Sequence, residues 1–121
     1  MQNFGDYAAA IQMTSKIFKL SADEIAPIAL GRGGCLATDR IVVDGCPVGY
    51  MYREETNRPK DSGWRFFAGD EDAEYMKDLS LHGVYDVNTI VNYDPSILEY
   101  LDMAVGSRLE RIEDGTFVMI Q

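Results

Sequence analysis

Hydrophobic positions along this chain change their spacing near residue 35. Before that point they recur at helical intervals. Tyr7, Ala10, Ile11, Thr14, Ile17 and Phe18 share one face of a helix predicted over 6–18, with Asp6 as its cap. Ser21-Ala-Asp-Glu24 has capping-box spacing and predicts a short second helix, which Pro27 keeps brief. Gly31-Arg-Gly-Gly34 then interrupts the chain. It divides a helical N-terminal arm over 1–32 from a body over 33–121.

From Cys35 onward the period is two. Ile41-Val-Val43, Asp44-Gly45 and Val48 to Arg53 predict a hairpin with its tip at Asp44-Gly45. Val48, Tyr50 and Tyr52 share one face of its second strand, and Gly49, Met51 and Arg53 the other. Pro47 cannot donate to a ladder and belongs at the start of that strand. Glu54 to Gly63 is polar, contains Pro59 and predicts a loop. Trp64 to Ala68 reads as a third strand, Asp70 to Asp78 as a short acidic helix, and Val84 to Val91 as a fourth strand. Asp94-Pro95 opens a further helix that buries Ile97, Leu98 and Leu101. Leu109 to Ile120 predicts a second hairpin around Asp114-Gly115. The expected fold is α+β: a mainly antiparallel sheet with two tight hairpins and short helices, preceded by the helical arm.

Composition narrows the function. The chain has 121 residues, 46% of them hydrophobic, which suits one domain with a core of its own. The net charge of -9 is uneven: residues 1–43 carry four acids and four bases, whereas 44–121 hold sixteen acids and seven bases. Such a field repels phosphate backbones and argues against nucleic acid. It attracts a basic protein surface or a cation. No apolar run approaches the ~20 residues of a membrane span, and no basic, then apolar, leader is present. A cytoplasmic protein with Cys35 and Cys46 reduced is expected.

The chemistry of catalysis is sparse. His82 is the single histidine, and H-E-x-x-H, G-x-S-x-G and G-K-[ST] are missing. Neither cysteine sits in a recognised nucleophile context. Counting Asp70 as a first calcium ligand puts Tyr75 where an EF-hand needs Gly and Leu81 where it needs Glu. Acids at a helix start are accounted for by its dipole. No enzyme activity, metal or cofactor is expected.

The tract from Asp61 to Tyr75 holds the only Trp, two Phe and five carboxylates. Trp, Tyr and Arg dominate binding hot spots. The candidate partner-binding residues are Tyr52, Arg53, Trp64, Arg65, Asp70, Glu71, Asp72 and Glu74. Tyr50 and Trp64 suit either the core or an interface. A pocket lined by both would favour a small-molecule or housekeeping binding domain. A flat acidic face would favour a protein partner.

Four segments together resemble one bacterial family. They are Val43-Asp-Gly-Cys-Pro-Val-Gly-Tyr-Met-Tyr-Arg-Glu-Glu55, Asp61-Ser-Gly-Trp-Arg-Phe-Phe-Ala-Gly-Asp-Glu-Asp72, Asn88-Thr-Ile-Val-Asn-Tyr-Asp-Pro95, and Gly106-Ser107 followed by Glu113-Asp-Gly115. The family is immunity protein 33 of polymorphic toxin systems, first described as a domain of unknown function. The resemblance covers about 33–121. It implies a protein that binds and neutralises a cognate toxin, and it carries over no catalytic residue. Its motif positions here are Tyr50, Tyr52, Arg53, Trp64, Arg65, Asp70 and Asn92.

Overall fold

Alternation along one strand decides which way the sheet faces. In β3 (Asp61–Phe67), Trp64 and Phe66 point one way and Arg65 and Phe67 the other. The computed structural model describes residues 16–120. The other strands are β1 (Gly34–Thr38), β2 (Tyr50–Arg53), β4 (His82–Asp86), β5 (Arg108–Arg111) and β6 (Phe117–Met119). They form one sheet in the order β4-β1-β3-β2-β5-β6. Three short helices, α1 (Asp39–Val42), α2 (Ala73–Lys77) and α3 (Val87–Tyr93), join 3-10 turns at Ala22–Glu24, Leu79–Leu81 and Pro95–Tyr100. The class is α+β.

Helices cover one face of the sheet. Cys35, Ala37, Met51, Trp64, Phe66 and Leu109 meet Ile41 and Val42 of α1, Val87, Ile90 and Val91 of α3, and Ile97 and Leu101. Trp64 is 1% exposed. Its indole N–H donates to the Leu101 carbonyl at 3.1 Å, so its polar atom is satisfied inside the core.

Several sequence expectations need correction. One pairing, β1 with β3, is parallel and makes the sheet mixed, while the other four pairings are antiparallel. Asp44-Gly45 is not a hairpin tip but the end of α1. There Gly45 N–H bonds the Ile41 carbonyl and Cys46 N–H bonds the Arg40 carbonyl, at 3.1 and 2.9 Å. Gly45 has φ of 79°. A left-handed glycine serves a helix end as well as a hairpin turn, so the dipeptide alone does not separate them. Gly45→Val is expected to destabilise the fold by roughly 1 kcal/mol or more, because a β-branched residue resists that conformation. Urea unfolding of the purified variant measures it.

The predicted strand over Val84 to Val91 divides at Asp86. Its carboxylate accepts from Asn88 N–H at 2.8 Å and caps α3. Val87, Ile90 and Val91 then fall at helical spacing and are all buried. The acidic helix is shorter than predicted, and Asp72 caps it by accepting from Tyr75 N–H. After Asp94 the chain forms a 3-10 turn. Ile97 and Leu101 are buried while Leu98 is 38% exposed. The second hairpin stands where expected. Its loop has three residues, Glu113 to Gly115, closed by Ile112 N–H to the Thr116 carbonyl, with Gly115 at φ of 89°.

Ahead of β1, residues 16–33 form a strap over α1 and α3. Most of the predicted helix over 6–18 lies outside the described residues, and Lys16–Phe18 are not helical. The capping-box turn is present, with Glu24 accepting from Ser21 N–H at 3.0 Å. Asn88 accepts from Ile28 and Ala29 N–H, both at 2.8 Å, and donates to the Ala26 carbonyl at 2.9 Å. Asn92 grips the N–H and carbonyl of Ala26. Tyr93 hydroxyl accepts from Leu20 N–H and donates to the Val42 carbonyl. No helix among the described residues is long and apolar enough to cross a membrane.

Candidate protein-binding face

The face of the sheet away from α1 and α3 carries two cross-strand rows of side chains. Register places Val84, Leu36, Arg65, Tyr52 and Arg108 in one row. Phe67, Tyr50, Glu110 and Val118 form the next. The rings of Tyr50, Tyr52 and Phe67 make a cluster with centroids 5.6 to 5.9 Å apart. All three are only half-buried. Together with Gly49, Gly69, Glu71, Met76, Glu110 and Ile120 they line a hollow of about 430 Å³.

Beside Tyr52 in its row, Arg65 centres an ion network that is buried at Arg65 and Asp61. Arg65 donates to both oxygens of Asp61, at 3.0 and 2.8 Å, and to Glu54 at 2.6 Å. Burial pushes the Asp61 carboxyl up, but the bonds from Arg65 and Gly63 N–H outweigh it and hold it below its ordinary value. Burial and the nearby Glu54 raise the Tyr52 hydroxyl, which therefore stays neutral. Arg65 is thus a support for this face and not an exposed anchor.

The other residues named from sequence scatter. Trp64 is inside the core. Arg53 sits on the helix-covered side, donating to the carbonyls of Ser62 and Met103, with its guanidinium 5.8 Å from the Trp64 ring centre. Asp70 takes two bonds from Arg40, which lower its pKa. Glu71 accepts from Ala68 and Gly69 N–H and from the Thr38 hydroxyl, which fixes the turn that leads to α2. Asp72 is a helix cap. Glu74 is exposed, 3.7 Å from Lys77. Only Tyr52 and Glu71 of the named set reach the hollow. Sequence reasoning missed Phe67 and Glu110, which join it through pairing with β2. Tyr50 and Trp64 point to opposite faces, so no pocket is lined by both.

Burial pushes the Cys35 thiol far above its ordinary value, which makes it a poor nucleophile. Its sulfur contacts the Tyr85 carbonyl, and among the described residues neither thiol bonds His82. No group of three His, Cys, Asp or Glu among the described residues is arranged to hold a metal ion.

Residues 35–121 match the family model described as the Immunity protein Imm33 domain. The chain belongs to the Imm33 family. No curated protein and no solved structure shows significant similarity to it. The Imm33 domain therefore spans, among the described residues, all six strands but for the first residue of β1, and the three helices. It includes Asn88, Asn92 and Tyr93, while the strap that they hold lies ahead of the matched region. Asn92 of the family-like segment thus has a structural task here.

Proposed function

We propose that this chain is a non-enzymatic, cytoplasmic immunity module that neutralises a bacterial toxin by binding it. The observation that carries the reading is the Imm33 match over residues 35–121. The sheet face around Tyr50, Tyr52 and Phe67, half-exposed among the described residues, supports it, because aromatic clusters rimmed by charge are typical of protein contacts. The charge of -9 suits a basic partner, whose approach it would speed.

Co-expression with candidate toxins taken from the genes beside its own tests this. The full chain is expected to restore growth, and the purified pair to form a stoichiometric complex. Association should slow severalfold or more as salt rises from about 50 to 500 mM, since added ions screen the steering field. Growth that stays arrested, with no complex formed, would overturn the reading.

A further inference from the structure

We propose that the hollow over Tyr50, Tyr52 and Phe67 receives a single arginine side chain from the partner's surface. The inference rests on the protein-binding reading above and assigns the chemistry of its contact. Three observations converge. The hollow's floor is aromatic, and its volume of about 430 Å³ takes one long side chain. Its lining includes two carboxylates, Glu71 and Glu110, and no Lys or Arg. The Glu71 oxygens are engaged by backbone N–H groups and by Thr38, so Glu71 supplies charge rather than a free acceptor. Glu110 is exposed and makes no ion pair among the described residues.

Arginine fits this pair of demands better than other side chains. Its planar guanidinium stacks on ring faces and also presents a fork to a carboxylate. At the margin a guanidinium already meets one of these aromatic residues, through its hydroxyl. Arg108, beside the hollow, aims its guanidinium at the Tyr50 hydroxyl, with Nε and an Nη both at 3.2 Å. One base at the margin does not cancel two carboxylates in the lining, so the hollow remains net negative. Met76 and Ile120 supply apolar walls for the incoming methylene stem.

The test needs no toxin. N-acetyl-arginine methylamide is titrated into the full chain, with N-acetyl-citrulline methylamide as the neutral, nearly isosteric control. Proton NMR of the Tyr50, Tyr52 and Phe67 rings should show saturable shifts with the arginine probe alone, with Kd on the order of ten millimolar or weaker for one stacked cation and one ion pair. Glu110→Gln and Tyr52→Leu should each weaken it about threefold or more, with the amide spectrum confirming that both variants stay folded. Equal shifts from citrulline, arginine shifts that map elsewhere, or unchanged affinity in Glu110→Gln would overturn the proposal. Toxin protection without arginine-specific binding would sink this inference alone. Arginine binding without protection from the toxin would sink only the immunity reading.

Discussion

Arg65→Met is expected to lower the stability of the fold by about 3–5 kcal/mol, the cost of stranding a buried charge. The Asp61 side chain is 3% exposed and Arg65 is its bidentate partner. With Arg65 removed, the carboxylate keeps only neutral partners among the described residues, Gly63 N–H and the Thr56 side chain. Methionine fills much of the volume, so the loss reports the charge and not a cavity. Replacing both partners, Arg65→Met with Asp61→Leu, should recover most of the loss, because an apolar pair leaves no charge unpaired. Urea unfolding of the three proteins at neutral pH decides it. If the single variant is as stable as the parent, the network is not what fixes this end of β3.

The same pair sets an acid limit. Asp61 has its pKa depressed below 3.8 in the fold. Its contribution is present in full at pH values above the unfolded carboxylate's and is lost as pH falls through the depressed folded value. Acid unfolding of the parent should therefore steepen below about pH 4, whereas the Arg65→Met/Asp61→Leu protein should lose that part of the slope.

Trp64→Ala should destabilise by about 3–5 kcal/mol, the usual range for a large aromatic removed from a core. Domains of this size are stable by only about 5–15 kcal/mol, so much of the variant should be unfolded at 37 °C. Circular dichroism and thermal melting read it. Trp64→Phe keeps a ring but leaves the Leu101 carbonyl without its donor, and should cost about 1–3 kcal/mol while remaining folded. Partner affinity in Trp64→Phe should match the parent, since this side chain does not reach the surface. A large loss of affinity in that folded variant would place Trp64 in the interface after all.

Local patterns were readable where one residue answers one question. The alternation of Trp64 and Phe66 against Arg65 and Phe67 predicts two faces, and β3 has them. Asp94-Pro95 predicts a capped start, and Asp94 accepts from Ser96 N–H at 3.1 Å. Patterns failed where two structures share one signal. Asp44-Gly45 suits a hairpin or a helix end, and the choice depends on where Ile41 and Val42 find a core. Val84 to Val91 is apolar enough for a strand, but Asp86 prefers to cap a helix. The parallel pairing of β1 with β3 leaves no local trace, because its partners are separated by more than twenty residues. The same holds for the hollow. Tyr50 and Tyr52 are legible as neighbours, but Phe67 and Glu110 join them only through register. Burial of Arg65 runs against its residue type. The clue was Asp61, four positions earlier on the same strand face.

The place of β1 in the sheet has a consequence for how the protein is made. The first strand to leave the ribosome sits between β3 and β4, so its two edges wait for partners that end at Phe67 and Asp86. Neighbouring β2 and β3 can close on each other with only the short 54–60 loop between them. That pair should therefore form first and offer β1 a ready edge. During the wait, nascent chains could meet through β1. Its sequence, Gly-Cys-Leu-Ala-Thr, holds a single large apolar residue in five, which makes it a poor template for pairing between nascent chains. The strand that waits longest for a first partner thus exposes little large apolar surface while it waits.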